Sequence, residues 1–188
     1  MPIKTVSLCM ILYLVSLFPA FPCFASAAQT QGGKTATILE SASFDVVFPP
    51  EGDGLSLILR AITSAQKSIH VAAYRFTNES IAEALLTAHK RGVAVRIVVD
   101  EESAGRSNAR ATLLASQGVP VHLFGKYRHH NKFMVIDGQH VQTGSANYNT
   151  GGQERNAENV LVLWNAPELA TMYIQEWERL WSEGKEVK

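Results

Sequence analysis

A histidine and a lysine two residues apart could carry out phosphoryl chemistry. His130 and Lys132 lie within KYRHHNKFMVIDGQHVQTGSAN, residues 126–147, which holds more types of phosphate-binding side chain than any other part of the chain. In an extended segment, residues two apart point to the same side, so this spacing places an imidazole beside a permanent cation. A phosphodiester requires that combination, because the charge that develops on its oxygens during attack is stabilised best by donors that are themselves positive.

A predicted hairpin brings further polar side chains to the same place. Asp137 and Gly138 stand between two apolar runs, a pattern typical of a tight turn between antiparallel strands. The returning strand leads to Ser145 and Asn147, and we expect it to bring them back towards His130. Their hydroxyl and carboxamide groups would be neutral donors to the same phosphate oxygens.

Six residues of this segment form a single pattern: His130, Lys132, Asp137, Gly144, Ser145 and Asn147. The pattern resembles the HKD motif of the phospholipase D superfamily. Six fixed residue types would coincide by chance on the order of once in a million chains of this length. The resemblance extends over the chain from Ser43 onwards, and within the family the sequence is most similar to small, exported bacterial endonucleases with one motif per chain.

The resemblance implies a role for each polar side chain. The family histidine is the nucleophile that forms a phosphohistidine, and this role falls on His130. The family lysine and asparagine hold the phosphate, which assigns substrate binding to Lys132 and Asn147, with Ser145 as an additional contact. A glutamate beyond the GSxN element orients the histidine, and Glu158 matches it. A carboxylate on the far imidazole nitrogen would fix the tautomer and stabilise the imidazolium.

Three neighbouring residues leave alternatives open. Glu154 could orient the histidine instead of Glu158, although it lies in a polar loop. Asp137 is interpreted as a supporting residue, because strand alternation turns it away from His130, and direct proton transfer is the alternative. His129 has the wrong spacing to serve as the nucleophile, and alternation turns it to the opposite face.

The residues just before the motif could contact substrate. Lys126 and Arg128 are predicted to form the near wall of a nucleic-acid groove, with a solvated loop as the alternative. The histidines His122, His129 and His130 have no carboxylate or cysteine partner at a familiar metal-ligand spacing. The family resemblance likewise implies catalysis without a metal, so we expect no metal site and no cofactor.

The order of apolar segments indicates one α/β domain over residues 43–188. Short apolar runs alternate with longer helical patterns, as in layered α/β proteins. The predicted strands are 43–48, 69–74, 93–99, 119–123, 133–136, 140–144 and 160–164. We expect a mixed, largely parallel β-sheet flanked by helices on both faces, which is the phospholipase D/nuclease-like α-β-α sandwich that the resemblance implies.

The chain begins with a predicted signal peptide, residues 1–27. One basic residue precedes an apolar stretch, and small residues form a cleavage site near Ala27 or Ala28. Residues 28–42 would then be a polar N-terminal segment. We expect an exported protein without a stable membrane anchor, periplasmic in a Gram-negative organism and otherwise secreted; retention of the apolar stretch as an anchor is the alternative.

The charge balance excludes a strongly basic nucleic-acid-binding protein. The 17 basic residues equal the 17 acidic residues in number, so a polyanion must bind through a local cluster of cations.

A single motif predicts that two chains form the site. Cleavage through a phosphohistidine needs one group to attack and another to protonate the leaving oxygen, and the sequence contains no second H-x-K segment. We therefore expect a homodimer with both copies of His130 in one shared site, as single-motif family members are built.

The resulting functional hypothesis is an exported, metal-independent phosphodiesterase. We favour a non-specific endonuclease that hydrolyses DNA, with RNA as a further candidate. A phospholipase D or cardiolipin hydrolase that acts on phospholipid head groups is the alternative, and a phosphate-binding module without activity is a third hypothesis.

Overall fold

The structure is a computed structural model that describes residues 35, 37, 39–104 and 110–187. The predicted signal peptide lies outside these residues, and so does most of the polar segment before residue 43. The described strands are β1 (Ser43–Val47), β2 (Ser68–Ala73), β3 (Ala94–Asp100), β4 (Val121–Phe124), β5 (Lys132–Ile136), β6 (His140–Gly144), β7 (Val160–Trp164) and β8 (Lys185–Glu186). The described helices are α1 (Gly54–Ser64), α2 (Glu79–Lys90), α3 (Glu101–Ala104), α4 (Arg110–Ser116) and α5 (Pro167–Glu183), and Gly151–Arg155 forms a π-helical turn.

The described strands pair in one mixed sheet, in the order β1-β7-β6-β5-β2-β3-β4-β8. The prediction of a largely parallel sheet was wrong: β2–β3 and β3–β4 are parallel, whereas the other five pairs are antiparallel. Helical crossovers join the parallel strands, as parallel pairing requires. The tight turn after β5 forces antiparallel pairing with β6, and strands from both ends of the described domain, β1 and β8, add to the edges in antiparallel orientation.

Helices cover both faces of the sheet, which confirms the predicted α-β-α sandwich. Adjacent β2 residues illustrate the two layers, because Val71 belongs to the core beneath α1, α2 and α4 and Ala72 belongs to the core beneath α5. Trp177 of α5 is buried, and its indole N–H donates to the Val71 carbonyl at 2.9 Å. None of the described helices is long and apolar enough to cross a membrane.

Local signals define where the elements near the site begin and turn. The side chain of Asn78 accepts a hydrogen bond from the Ile81 amide at 3.0 Å and so caps α2. Residues 137–139 join β5 to β6, since Ile136 pairs with His140. Asp137 and Gly138 have φ values of 53° and 66°, the left-handed conformation typical of tight hairpin turns, and the Gln139 amide donates to the Ile136 carbonyl at 3.0 Å. The predicted hairpin is therefore confirmed.

Candidate active site

Strand register brings the motif to one edge of the sheet. Lys132 is the first residue of β5 and pairs with Ala73, the last residue of β2. The next residue of β5, Phe133, pairs with Thr143 near the end of β6. The carboxyl ends of β2 and β6 therefore meet the start of β5, and the loop with His130 joins β5 at this edge.

His130 and Lys132 are in direct contact, as their spacing predicted. The Lys132 Nζ lies 2.9 Å from His130 Nδ1 and 3.3 Å from Nε2, and it donates to the His130 carbonyl at 2.7 Å. Lys132 is only 6% exposed, whereas the imidazole is open to solvent. Because an ammonium group can only donate, the ring nitrogen that faces it is unprotonated.

The surroundings of His130 favour its neutral form. Burial lowers the pKa of His130 from its ordinary value of 6.5, and the positive charges of Lys132 and Arg128 lower it further, while Asp100 opposes the shift. Burial also lowers the pKa of Lys132, against the opposing effect of Glu158. A neutral imidazole has one unprotonated nitrogen, and its lone pair becomes available for attack when the Lys132 ammonium donates to a phosphate oxygen instead of to the ring.

The returning strand brings Ser145 to the same cleft. His130, Lys132, Gly144 and Ser145 all line a cavity of about 550 Å³, so the second strand of the hairpin places Ser145 in the cleft with His130. A Cβ atom at Gly144 would lie 2.2 Å from the Asn159 carbonyl oxygen. This close approach explains the glycine at that position of the motif.

Glu158 contacts Ser145 and not the His130 ring in the described structure. The Ser145 hydroxyl donates to Glu158 Oε2 and accepts from the Asn159 amide at 3.0 Å. The other carboxylate oxygen of Glu158 accepts from Asn156 at 3.2 Å. The expected contact with the histidine is therefore absent from the described subunit, and the observed contacts give Glu158 a role in holding the serine hydroxyl. The alternative residue, Glu154, is exposed.

Asn147 is held by its backbone, while its side chain has no partner in the described part of the chain. Its carbonyl accepts from Asn149 N at 2.8 Å and from Gln153 Nε2 at 2.9 Å. Its Oδ1 atom is buried without a hydrogen bond among the described residues. Because an amide oxygen can only accept, the group that Asn147 can offer to a phosphate oxygen is the Nδ2 donor. Asn147 does not line the cavity that His130 and Ser145 share.

Asp137 lies at the far end of β5, about 16 Å from Lys132 at the usual rise per residue of a strand. Its carboxylate accepts from the backbone amides of Gln66, Lys67 and Ser68 at 2.9, 2.7 and 2.9 Å. Burial acts to raise the pKa of Asp137, but these donors outweigh it and lower the pKa below the ordinary value. The geometry fits a supporting role and leaves no route for direct proton transfer.

Lys126 and Arg128 do not line the cleft. Lys126 pairs with Glu183 at 3.1 Å, and Arg128 pairs with Glu102 at 3.2 Å. The exposed positions of both cations agree with the alternative of a solvated loop. Arg128 still influences the site through its charge, which helps to lower the pKa of His130.

Two neighbours of the nucleophile were not assigned to the site from the sequence. Asp100, buried at the end of β3, accepts from the amides of Ser103 at 3.0 Å and His129 at 2.9 Å, so it fixes the residue directly before His130. The His129 ring is buried, both its nitrogens lack hydrogen bonds among the described residues, and burial lowers its pKa to about 4. It is therefore neutral at physiological pH.

An apolar wall of α5 faces the motif across the cleft. Leu169, Met172 and Tyr173 of α5 line the cavity, together with Glu176 of the same helix. The helical periodicity of these residues is the only sequence signal for them, and it is the signal of an ordinary core-facing helix. The cleft thus combines a polar floor that suits phosphate with a wall that suits hydrocarbon.

A sheet of this topology with a histidine–lysine–serine cluster at the strand ends defines the phospholipase D class, and the chain belongs to that superfamily. Residues 58–181 match a family model described as cardiolipin synthase, PLD-like domain. Nuc from Salmonella typhimurium, a phospholipase D family member of known structure, is 36% identical with a TM-score of 0.76, over 78% of this chain and 99% of that one. NucT from Helicobacter pylori is 26% identical with a TM-score of 0.69, over the same shares.

Two proteins of similar sequence have names that refer to phospholipids. A mitochondrial cardiolipin hydrolase of Xenopus tropicalis is 36% identical over 137 residues, which are 72% of this chain and 64% of that protein. A phospholipase D of Rickettsia conorii is 33% identical over 141 residues, 74% of this chain and 70% of its own length. This chain therefore spans somewhat less than two thirds of the cardiolipin hydrolase that it matches.

Proposed function

We propose that the protein is a metal-independent phosphodiesterase that works through a phosphohistidine at His130. The contact between the His130 ring and the buried Lys132 ammonium carries this proposal. It joins an unprotonated nucleophile to a cation that can bind the phosphate oxygens, and the Ser145 hydroxyl lines the same cleft. Export through the predicted signal peptide is part of the proposal.

The first half of the reaction transfers the phosphoryl group to the enzyme. A His130 ring nitrogen attacks phosphorus, so that a P–N bond forms and the P–O bond to the leaving group breaks. The Lys132 ammonium and the Asn147 Nδ2 group stabilise the charge on the remaining oxygens, and the Ser145 hydroxyl joins them by turning its proton from Glu158 to the phosphate. The partner subunit's His130, in its protonated form, gives its proton to the leaving oxygen.

The second half restores the enzyme. Water attacks phosphorus and loses a proton to the partner subunit's His130, which is neutral after the first step. The P–N bond then breaks and returns the electron pair to the ring nitrogen. Both histidines recover their starting states, one neutral and one protonated. The two rings therefore titrate as a coupled pair.

An apolar strip beside the cleft, made of Phe44, Val46, Phe48 and Leu161, would form the dimer interface. Across the sheet, Val46 of β1 pairs with Leu161 of β7, which pairs with Thr143 of β6. Cross-strand partners share a face, and Thr143 lines the cleft. The strip therefore leads from an exposed edge strand directly to the catalytic residues. Phe44, Val46 and Phe48 are 69%, 42% and 62% exposed, which is unusual for apolar side chains that have no partner. Because the site also needs a second histidine, we propose that a second copy of the chain covers this strip.

DNA is the substrate that we favour, with RNA as a further candidate. The resemblance of the sequence to small bacterial endonucleases supports this choice. Nuc and NucT, which are similar to this chain over 99% of their own lengths, agree with that resemblance. Cardiolipin is the second candidate, because the cleft has an apolar wall formed by Leu169, Met172 and Tyr173. The cardiolipin hydrolase and phospholipase D relatives support it as well.

Parallel assays test the reaction and its substrate. The purified protein and its His130→Asn variant are each incubated with supercoiled plasmid and with cardiolipin vesicles, with and without excess EDTA. We expect the wild type to nick and degrade the plasmid and the variant to do neither. Hydrolysis of cardiolipin alone would replace the nuclease proposal with the lipid hydrolase, and loss of all activity with EDTA would overturn metal independence.

A further inference from the structure

Arg75 lies beside the candidate active site, on the loop that follows β2. The next residue, Phe76, forms a parallel bridge with Tyr148. The backbone amides of Thr77 and Asn78 both donate to the Tyr148 carbonyl at 2.9 Å. Because Tyr148 directly follows Asn147 of the motif, these bonds fix the Arg75 loop against the catalytic loop.

The ring of Tyr74 joins Arg75 to the catalytic pair. It packs against the His130 ring with a centroid separation of 4.4 Å. The Arg75 guanidinium carbon and the Lys132 Nζ each lie 5.5 Å from the centre of the same ring, a distance at which a cation is attracted to an aromatic face. The charge of Arg75 also contributes to lowering the pKa of both His130 and Lys132, as expected of a close cation.

Arg75 differs from three other cations near the site because no carboxylate pairs with it among the described residues. Those three form ion pairs: Arg128 with Glu102, Lys126 with Glu183, and Arg179 with Glu176 and Glu183. Arg75 is exposed. An anion that enters the cleft would therefore meet an unneutralised guanidinium next to Lys132.

We infer that Arg75 binds a second phosphodiester of the substrate, next to the one that His130 attacks. This inference rests on the proposed function. Lys132 and Ser145 line the cleft where the scissile group would lie, whereas Arg75 lies outside that lining, beside the Tyr74 ring. A guanidinium can hold a phosphate through two parallel hydrogen bonds. Two phosphodiesters joined by a short linker occur in a nucleic-acid backbone and in cardiolipin, and both substrates share this chemistry.

An Arg75→Gln variant tests the inference with substrates that differ in phosphate number. Bis(4-nitrophenyl) phosphate contains one phosphodiester, while a short thymidine oligonucleotide and cardiolipin vesicles present two or more. We expect KM for the substrate with several phosphates to rise about tenfold, the loss of one charge-assisted hydrogen bond. Turnover of bis(4-nitrophenyl) phosphate should change less than about twofold, and Arg75→Lys should recover part of the loss.

Arg96→Gln is the matched control, since Arg96 is also exposed but lies in β3 away from the cleft. It should behave as the wild type with every substrate. An effect of Arg75→Gln with the oligonucleotide alone would identify nucleic acid as the source of the second phosphate, and an effect with cardiolipin alone would identify the lipid. An equal loss with all substrates, or no loss with any, would overturn the inference.

Binding measurements separate this inference from the proposed function. Fluorescence anisotropy of a labelled oligonucleotide is recorded with His130→Asn and with the double variant that adds Arg75→Gln. Weaker binding by the double variant supports the subsite even if the wild type proves inactive. An active wild type with equal binding by both variants would overturn the subsite for nucleic acid and leave the proposed function intact.

Discussion

Lys132 has two electrostatic effects, one on the His130 ring and one on the phosphate of the substrate. Its ammonium contacts the His130 ring and helps to lower the pKa of that ring. The same ammonium would lie against the phosphate oxygens during attack. A lower pKa keeps the histidine neutral, and the positive charge stabilises the transition state, so a single side chain supports both requirements of the reaction.

Replacement of Lys132 by methionine should separate these effects. We expect activity to fall about 100- to 1000-fold, the usual loss for one electrostatic donor. The pKa of His130 should rise towards its ordinary value, because one of the charges that lower it is gone. An NMR titration, with the His130 signal assigned by His130→Asn, measures the shift. An unchanged or lower pKa would contradict the electrostatic account.

At the scale of elements, the turn residue Asp137 connects two strands that the reaction depends on. Its carboxylate accepts from three backbone amides at the start of β2, while β5 begins with Lys132 at the opposite end. The residue therefore fixes β2 against β5 without contacting the cleft. Its place in the motif is explained by strand register, which positions the catalytic lysine.

Asp137→Ala should reduce the free energy of unfolding, while the geometry of the active-site cleft should change little. Loss of the carboxylate leaves three backbone amides without their acceptor, and we expect a decrease of about 1–3 kcal/mol in the free energy of unfolding. Because the pKa of Asp137 is lowered in the folded protein, its contribution is complete above its unfolded pKa and is lost as pH falls through its folded pKa. Denaturant unfolding at pH 7 and at pH 3 measures both effects. Equal stabilities of variant and wild type at pH 7 would contradict this role.

The sequence predicted the strands, the helices and the residues of the motif, but it did not predict which residues contact the motif from distant parts of the chain. The hairpin turn and the spacing of His130 and Lys132 are local signals, and the structure confirms them. The partner of Glu158 and the position of Arg75 depend on contacts between distant segments, which spacing does not encode. The antiparallel edges of the sheet have the same origin, because no local pattern specifies where β1 and β8 pair.

At the scale of the whole molecule, the exposed face of β1 should be where two subunits meet. Phe44→Asp places a charge within the apolar strip, and we expect it to weaken dimerisation by about 30-fold or more. Activity should fall in parallel, since each site needs two histidines. Sedimentation measures the association, and circular dichroism verifies the fold.

Leu113→Asp is the control for this prediction. Leu113 is also an exposed apolar residue, at 48%, but it lies on α4, which packs against the opposite face of the sheet from α5. The control should remain dimeric and active. A fully active Phe44→Asp monomer would exclude both the interface and the need for a shared site.

The central claim is that two copies of His130 act in one site, and mixed dimers test it most directly. Wild type and His130→Asn subunits are unfolded together, refolded in equal amounts and assayed against wild type alone. If both histidines are required, only wild-type homodimers are active, and activity per total protein should fall to about a quarter of the wild-type value. An activity of about half would mean that each subunit works alone, and would contradict the account.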